Sequence, residues 1–407
     1  MKNLKLLVVA LVAMFGFIAC EQHECNDYDH SKDLVGTWTC LTPDFAEALV
    51  INADGSLLST GLAAGEYWEN VAGNVVVENG NITLTFEDDD NFKGHFDIIP
   101  GVAFSIYNDK GGHLVFNYCA NDLSDEIVGM WVCNDAPASA DNDIAIISYA
   151  NDGSTTFTGI LPNKDGYMLN VNTTYNVVGD LMFKKNAVQG TSDSPKYIST
   201  RLTYAPNGTA AGDIMVYKHY NGTVETSSFY LRIKQNLELV NKSYDYSNIY
   251  VTNVKAKDAE FEFAGQTLNL ANMDGRILDK MMKTLLFNVS FPSADKIVYN
   301  YHYNGENVPM PSPIVVDGNK MTIKKSVNNP ACKDIDVWTF QDQDNTQMHM
   351  YMPVKSFENF LANTAVEMMA NEGKLDLNDA AAVKAIFDQV EAAIETINIS
   401  FIFKTAK

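Results

Sequence analysis

An internal repeat is the feature of this 407-residue sequence that most restricts its possible folds. The segment Leu34-Val-Gly-Thr-Trp-Thr-Cys40 recurs 93 positions later as Ile127-Val-Gly-Met-Trp-Val-Cys133. A second segment, Ala53-Asp-Gly-Ser56, recurs 98 positions later as Asn151-Asp-Gly-Ser154. Self-similarity at a nearly constant period indicates consecutive copies of one structural unit. The chain up to about residue 235 therefore contains two units of one architecture.

Each unit has the composition of a β-meander. Runs of β-branched and aromatic residues, such as Ile82 to Phe86 and Ile144 to Tyr149, are separated by Asn-Gly or Asp-Gly dipeptides. These dipeptides supply the positive φ that tight hairpin turns require. They occur at residues 54–55, 79–80, 152–153, 207–208 and 221–222. Short strands at this spacing predict a small antiparallel sandwich or an up-and-down barrel for each unit.

The motif that opens each unit is similar to the first-strand Gly-x-Trp motif of lipocalins and other calycins. It reads Gly36-Thr-Trp38 in the first unit and Gly129-Met-Trp131 in the second. In that family the tryptophan closes one end of an eight-stranded barrel. The resemblance implies two calycin-like barrels, over residues 34–122 and 123–238.

A second element of the resemblance lies in the last predicted strand of the second unit. Arg232 resembles the family arginine that packs over the motif tryptophan as a cation on an aromatic face. The first unit has Asn117 and Tyr118 in the comparable region and no arginine. The resemblance is therefore more complete in the second unit than in the first.

Beyond about residue 239, helical patterns interrupt the predicted strands. Apolar residues recur at helical spacing after Asp274-Gly275, after an N-cap candidate at Ser356, and from a capping Asn378 to Ile397. A closing strand is predicted from Ile399 to Phe403. We expect residues 239–407 to form a larger β-rich domain with about three helices. An elaborated third barrel is the preferred arrangement, and an α+β domain with helices on one sheet face is the alternative.

The N-terminal segment has the pattern of a bacterial lipoprotein signal. Lys2 and Lys5 precede an apolar run from Leu6 to Ile18, and Ala19 then precedes Cys20. The run is too short to span a bilayer, which takes about 20 helical residues. The sequence thus predicts that residues 1–19 are removed, that Cys20 is diacylated, and that residues 20–33 form an acidic tether. A plain secretory signal with an incidental cysteine is the alternative.

A lipoprotein signal followed by tandem Gly-x-Trp units resembles the calycin-like lipoproteins of the Bacteroides group. The resemblance implies a lipid-anchored protein of the bacterial outer membrane, on either its surface or its periplasmic face. Two acyl chains are sufficient for stable anchoring. Activities in this group are mostly unassigned, so the resemblance implies an architecture and a location.

Charge and cysteine content limit the partners and the cross-links. The net charge of -22 would repel the phosphate backbone, which excludes nucleic acid as a partner. The cysteines are Cys20, Cys25, Cys40, Cys119, Cys133 and Cys332. With Cys20 acylated, an odd number remains, so at least one thiol stays free or pairs outside the chain. Cys40 and Cys133 each lie two residues after a tryptophan, which predicts buried thiols.

No motif in the sequence indicates catalysis. The seven histidines are scattered, and the sequence contains no zinc helix, nucleophile elbow, phosphate-binding loop or dinucleotide fingerprint. Acidic residues cluster at Asp27, Asp29 and Asp33 and from Glu87 to Asp90, without the spacing of a calcium loop. We therefore predict a protein that is not an enzyme and has neither a cofactor nor a metal.

Aromatic residues are the candidates for ligand contact. Tyr299, Tyr301 and Tyr303 share one strand face, and Tyr67 and Trp68 lie on a predicted strand after Gly65. Tyrosine combines a large apolar body with a polar tip, which suits sugar rings or apolar ligands. Core packing is the competing explanation for each of these residues. The predicted function is capture of a small apolar or sugar-like ligand. The alternative is an accessory subunit of a cell-surface protein assembly, with filled barrels and no ligand.

Overall fold

The computed structural model describes residues 30–87, 91–108, 111–133, 144–160, 168–185, 197–209, 212–256, 260–263, 266–269, 275–303, 306–325 and 329–406. Its strands form three closed antiparallel barrels of eight strands each and one two-stranded sheet. The predicted mainly-β class with tandem barrels is confirmed. The third segment is a barrel, as preferred, and not an α+β sheet covered on one face.

The first two barrels are simple meanders in which the last strand pairs back onto the first. Barrel 1 consists of Gly36–Leu41 (β1), Phe45–Ile51 (β2), Ser56–Ala63 (β3), Glu66–Glu78 (β4), Asn81–Phe86 (β5), Asn91–Ile99 (β6), Ala103–Tyr107 (β7) and His113–Cys119 (β8). Barrel 2 consists of Gly129–Cys133 (β9), Ile144–Tyr149 (β10), Ser154–Ile160 (β11), Met168–Val178 (β12), Leu181–Lys185 (β13), Tyr197–Thr209 (β14), Gly212–Asn221 (β15) and Val224–Ile233 (β16).

Barrel 3 is interrupted by one hairpin and three helices. Its first strand is Lys242–Ala256 (β17), and the hairpin follows as Glu260–Phe263 (β18) and Gln266–Asn269 (β19). Its other strands are Leu286–Ser293 (β20), Lys296–Tyr303 (β21), Glu306–Asp317 (β22), Lys320–Ile323 (β23), Ile335–Gln341 (β24), Gln347–Met352 (β25) and Ile394–Thr405 (β26). The helices are Gly275–Leu285 (α1), Val354–Asn371 (α2) and Ala380–Ala393 (α3). Pairing of β17 with β26 closes the barrel.

The last helix is shorter than predicted at both ends. Its N-cap is Asp379, whose side chain accepts from the N–H groups of Ala381 and Ala382 at 3.1 and 3.0 Å. The predicted capping residue, Asn378, lies one position earlier. Residues from Ile394 onward belong to β26, because they pair with β17. Across the described ranges, the helices lack the length and apolarity that a membrane span requires.

A tryptophan seals one end of each of the first two barrels. The indole N–H of Trp38 donates to the carbonyl oxygen of Leu34 at 2.7 Å. The indole of Trp131 makes the same bond to the carbonyl of Ile127, also at 2.7 Å. Both tryptophans are fully buried. We call this the plugged end of each barrel and the opposite end the far end.

The side chain that covers the tryptophan differs between the two barrels. Arg232 stands opposite Trp131 in the strand register, and its guanidinium carbon lies 4.6 Å from the indole ring. In barrel 1 the same register position holds Tyr118, whose ring meets Trp38 edge-on at 5.1 Å. Gly36 has a φ of +133°, and a Cβ there would lie 2.7 Å from the Tyr118 ring. Glycine at this position is therefore required by backbone conformation and by space.

Three prolines lie on the part of β22 that pairs with β21 alone. They are Pro309, Pro311 and Pro313. Even-numbered residues of this strand direct their N–H groups toward β21, as the 2.8 Å bond from Ile314 N–H to the Asp295 carbonyl shows. The prolines occupy the odd-numbered positions, so their nitrogens face the opposite side of the strand, toward β23. On that side β23 pairs only with residues 314–317, which follow the prolines. The absence of an N–H group at each proline therefore costs the sheet no backbone hydrogen bond.

Barrels 1 and 2 pack side by side with their plugged ends on the same side. Apolar side chains of β2 and β13 form the contact, namely Ala46, Ala48, Leu181 and Phe183. Near the plugged ends, Gly179 lies so close to Cys119 that a Cβ would come within 3.0 Å of the sulfur. Near the far ends, the rings of Tyr67 and Tyr197 stack at 4.6 Å. Contacts at both ends fix the two barrels as parallel neighbours.

Barrels 2 and 3 share a second apolar interface. Its buried members are Val132, Ile146, Ile233, Phe340 and Tyr351. At its edge the backbone N–H of Lys234 donates to the Gln341 carbonyl at 2.9 Å. The three barrels thus form a continuous packed row.

We expect Trp38→Ala and Trp131→Ala each to lower the free energy of unfolding by about 3 to 5 kcal/mol, as for other large-to-small core changes. Each change removes a buried ring and leaves a carbonyl without its donor. Trp338→Ala, at a half-buried position, is the matched control and should cost less. Chemical denaturation followed by fluorescence measures the difference. A loss below about 1 kcal/mol in either plug variant would contradict the role assigned to the plug.

Candidate functional site

The predicted tyrosine stripe of the third segment faces the interior of barrel 3. Tyr299 and Tyr301 pack against its core, and their rings lie 6.2 Å apart. Burial raises the pKa of both hydroxyls well above the usual tyrosine value. The side chain of Tyr303 lies outside the described residues. Cys20, Cys25 and the acidic residues 27, 29 and 88–90 also lie outside them.

Tyr67 and Trp68 lie on opposite faces of β4. Tyr67 points into the interface with barrel 2, where its hydroxyl accepts a hydrogen bond from the Asn176 side chain at 3.3 Å. Tyr67 therefore lies outside the interior of barrel 1, because strand alternation gives adjacent residues opposite faces. Trp68 points inward over Gly61, where a Cβ would lie 2.2 Å from the indole. Glycine at position 61 leaves the space that the ring occupies.

A hydrogen-bonded chain crosses the far half of barrel 1. The Trp68 indole donates to the Ser59 hydroxyl at 2.8 Å, and that hydroxyl donates to Glu47 at 2.6 Å. Burial raises the pKa of Glu47 to about 7, against the opposing effect of the Ser59 bond. Cys40 stands opposite Glu47 in the register, and burial raises the pKa of its thiol to about 12. The cysteine is free and unreactive in this environment.

The remainder of the barrel 1 interior is filled with aromatic rings. The centroid of Phe104 lies 4.9 Å from that of Trp38 and 4.9 Å from that of Phe116. All three side chains are at most 1% exposed. Barrel 1 is therefore mainly a packed core.

The interior of barrel 2 is more polar. Four tyrosines meet there: Tyr149, Tyr175, Tyr217 and Tyr230. The hydroxyls of Tyr149 and Tyr217 are hydrogen-bonded at 3.1 Å. The Tyr149 ring meets the Tyr175 ring edge-on at 4.8 Å, and the rings of Tyr217 and Tyr230 stack at 4.2 Å. We call these four residues the tyrosine cluster.

Lys184 projects into this cluster. It lies two residues after Met182, a member of the barrel 2 core, and opposite Tyr175 in the register. Its ammonium nitrogen lies 5.8 Å from the Tyr149 ring and 5.9 Å from the Phe157 ring. Burial lowers the pKa of Lys184 to about 8. Among the described residues, no carboxylate forms an ion pair with it.

Two further polar groups face the same interior. Thr155 stands opposite Tyr149, is 2% exposed, and its hydroxyl oxygen has no hydrogen-bond partner. His219 contacts the Thr226 hydroxyl at 2.9 Å, and burial lowers the pKa of its imidazole. A cation, several hydroxyls and aromatic faces together can hold a ligand in place. In the described part of the chain, no group of three His, Cys, Asp or Glu side chains is arranged to hold a metal.

A cavity of about 510 Å³ lies on the outside of barrel 3 between α2 and α3. Five of the six charged side chains that line it form ion pairs with one another. Lys355 pairs with Glu358 at 3.3 Å and with Glu391 at 3.1 Å, and Lys384 pairs with Asp388 at 2.5 Å. Lys184 in barrel 2 differs, because no ion pair joins it to a carboxylate among the described residues.

Sequence reasoning did not identify Lys184 or the tyrosine cluster. Strand alternation gives Met182 and Lys184 one face, but Leu181 and Phe183 on the other face are equally apolar. The pattern therefore does not tell which face is the barrel interior. The sequence feature that could have identified the cluster is four tyrosines on the predicted strands of one unit, namely Tyr149, Tyr175, Tyr217 and Tyr230.

Because the folded pKa of Lys184 is depressed, its charge costs stability below about pH 8, and the cost shrinks as pH rises toward the unfolded value. We expect Lys184→Met to raise the free energy of unfolding at pH 7 by about 1 to 3 kcal/mol. At pH 9.5 the gain should fall to less than half. The exposed neighbour provides a control, since Lys185→Met should stay within about 0.5 kcal/mol. Denaturant titrations at both pH values test this, and an unchanged stability in the Lys184 variant would contradict it.

No family model matches the chain, and no curated protein matches it. Solved structures with a remote likeness to the chain include two transferrin-binding proteins. A tryptophan-to-alanine mutant of Transferrin Binding Protein B from Haemophilus parasuis Hp5 has 9% identity and a TM-score of 0.22. The isotype 1 Transferrin binding protein B from serogroup B Neisseria meningitidis has 8% identity and a TM-score of 0.20. Each match covers 89% of this chain and 66% of the neighbour, so the chain spans just under two thirds of their length. Likeness at this level carries no argument about function.

Proposed function

We propose that this protein is a lipid-anchored outer-membrane lipoprotein of the calycin-like type that captures a small ligand and performs no catalysis. The ligand has an apolar or sugar-like body and occupies the interior of barrel 2. The tyrosine cluster with Lys184 is the observation that carries the proposal, because it places aromatic faces, hydroxyls and a cation on one interior surface.

The composition of this surface suits capture. Tyrosine rings offer flat apolar contact, and their hydroxyls orient a bound molecule. Small-molecule sites combine a mainly apolar lining with a few convergent polar groups. Eight-stranded barrels have room for one small ligand at most, and side chains can fill them completely. Barrel 1, with its stacked rings, is of the filled kind, and Tyr299 and Tyr301 remain proposed contacts in barrel 3.

The proposed anchor is compatible with an accessible site. The chain enters barrel 1 at the plugged end, through the short 3-10 turn His30–Leu34. Ten residues, 20–29, separate Cys20 and its proposed acyl chains from this turn, and a chain of that length reaches at most about 35 Å. Acylation of Cys20 would therefore hold the plugged end nearest the bilayer. The far ends of barrels 1 and 2 would then face away from it.

A specific observation favours the alternative role as an accessory subunit of a surface assembly. Exposed apolar side chains adjoin one another at the plugged end of barrel 1. Ile99 is 63% exposed and Val102 is 58% exposed, and the Val102 carbonyl accepts from the N–H of Tyr118 at 2.8 Å. Val35, also exposed, lies on the segment by which the chain enters the same end of this filled barrel. Exposed apolar surface of this kind often marks a protein contact.

The anchor is tested by Cys20→Ser, which removes the acylated thiol. We expect the variant to leave the membrane fraction, because the acidic folded part has no charge attraction to anionic lipid. Cell fractionation followed by immunoblotting measures the shift. Cys25→Ser is the matched control and should remain on membranes. Retention of the Cys20 variant on membranes would disprove the anchor.

The capture site is tested with Tyr149→Phe/Tyr217→Phe, which removes the hydroxyl pair while keeping the ring volume. We expect retention of extracted cell metabolites and glycans to fall about 10-fold or more, since an unmet polar contact costs about 1 to 3 kcal/mol. Mass spectrometry of molecules released on denaturation measures it. Tyr67→Phe, in the barrel interface, should retain ligand normally.

Unchanged retention in the double variant would disprove capture in barrel 2. If Ile99→Lys/Val102→Lys also abolished pull-down of a membrane partner, the assembly role would replace it. This second variant changes only exposed residues, so folding should be preserved.

A further inference from the structure

We propose that the tip of the hairpin between β6 and β7 of barrel 1, residues 98–103, contacts the bilayer surface as a second membrane attachment beside the acyl chains on Cys20. This proposal rests on the anchor that the proposed function places at Cys20. It adds a contact made by the folded domain itself, and its partner is a lipid surface without net charge. We call residues 98–103 the hairpin tip.

The composition of the hairpin tip differs from that of the other turns at the plugged end. The tip reads Ile-Ile-Pro-Gly-Val-Ala, which contains no polar side chain. Ile99 and Val102 are both more than half exposed. The other two hairpin turns at this end of barrel 1, residues 52–55 and 78–81, read Asn-Ala-Asp-Gly and Glu-Asn-Gly-Asn. Turns that face water normally carry such polar residues, so the hairpin tip fits a less polar surrounding.

The backbone of the hairpin tip suits a medium that offers few hydrogen bonds. The Val102 N–H donates to the Ile99 carbonyl at 3.0 Å, and Gly101 supplies a φ of +68° for this tight turn. The Val102 carbonyl accepts from the N–H of Tyr118 at 2.8 Å, and Pro100 has no N–H group. Unpaired backbone groups make a loop costly to move into lipid, and these features reduce their number here.

The hairpin tip lies beside the place where the predicted tether meets the domain. The ring of His30, the first described residue, lies 6.1 Å from the ring of Phe96. Phe96 precedes Ile99 by three residues on β6, which is a separation of about 10 Å along a strand. The ten residues from Cys20 to this point can reach about 35 Å. An acylated Cys20 can therefore lie in the bilayer while the hairpin tip touches its surface.

The tether makes a weak lipid contact sufficient. Two apolar side chains alone would hold a soluble protein on a bilayer only weakly. When the acyl chains keep the domain within reach, the same contact becomes intramolecular and acts at a high effective concentration. A protein partner would lack this advantage unless it were anchored beside the same end. The position of the hairpin tip therefore favours lipid as its partner.

Neighbouring charges limit the lipid to a surface without net charge. Exposed Asp54 and Asp152 lie in turns on the same side of barrels 1 and 2 as the hairpin tip. Anionic head groups would repel these carboxylates. The contact is therefore apolar, and phosphatidylcholine and phosphatidylethanolamine are suitable probes for it.

The test uses the acylated chain in vesicles of these two lipids whose acyl chains carry bromine, a contact quencher of tryptophan fluorescence. Val102→Trp places a reporter in the hairpin tip. Val224→Trp is the matched control, because Val224 is 62% exposed in a hairpin at the far end of barrel 2. After subtraction of the parent signal, the reporter at position 102 should lose about half of its emission or more, since such contacts reach the boundary of head groups and acyl chains. The reporter at position 224 should keep its emission.

A second measurement avoids the lipid affinity of tryptophan itself. Val102→Asp should raise the rate at which the acylated protein transfers from donor to acceptor vesicles by about threefold or more, because an apolar contact is lost. Val224→Asp should leave this rate unchanged. Both positions are exposed, so both variants should fold.

The outcomes separate this proposal from the proposed anchor. If Cys20→Ser releases the protein from membranes but the reporter at position 102 is not quenched in the acylated protein, the lipid contact is disproved and the anchor stands. Retention of the Cys20 variant on membranes disproves the anchor and this proposal with it. An unquenched reporter together with loss of a membrane protein partner in Ile99→Lys/Val102→Lys would identify the hairpin tip as a protein contact and overturn its assignment to lipid.

Discussion

The hydrogen bond from a buried indole N–H to the carbonyl four residues earlier is the contact on which the tandem barrels depend. It occurs at 2.7 Å in both Trp38 and Trp131. A tryptophan buried at a barrel end satisfies its one donor only if the chain before the first strand folds back over it. The bond therefore fixes the approach of the chain to β1 and β9 and seals one end of each barrel. Repeating this local unit produces two barrels of equal design.

Once the tryptophan seals one end, the residues that line the rest of the interior can differ between the two barrels. Barrel 1 places Glu47 there, and burial raises the pKa of this carboxyl to about 7, so that the group can become neutral by taking a proton. Barrel 2 places Lys184 in its interior, and burial lowers the pKa of this lysine only to about 8. At neutral pH this lysine keeps its charge. The two barrels thus share a frame and differ in their buried ionisable group, which is an acid with a raised pKa in barrel 1 and a base with a lowered pKa in barrel 2.

Features set by neighbouring residues could be predicted from the sequence, and features set by distant contacts could not. Gly-x-Trp motifs and Asn-Gly turns act locally, and they identified the barrels. The position at which α3 ends depends on β17. The apolar residues from Ile394 to Ile397 continue the 3.6-residue helical spacing, but they pair with this distant strand. The burial of Tyr67 depends on barrel 2, because this barrel covers the outer face of β4. Lys184 was missed for the same reason, since barrel packing makes both faces of β13 apolar.

Side-by-side packing also explains why a ligand site would form in barrel 2 and not in the cavity between α2 and α3. Barrel 2 lies between two neighbours, and the apolar interfaces on both sides hold its strands in place. A rigid wall can keep a charged side chain in an unfavourable position, whereas a flexible one would let it turn out to solvent. In the outer cavity Lys355 already has two carboxylate partners. The proposed site in barrel 2 therefore differs from the outer cavity in holding a cation that has no carboxylate partner among the described residues.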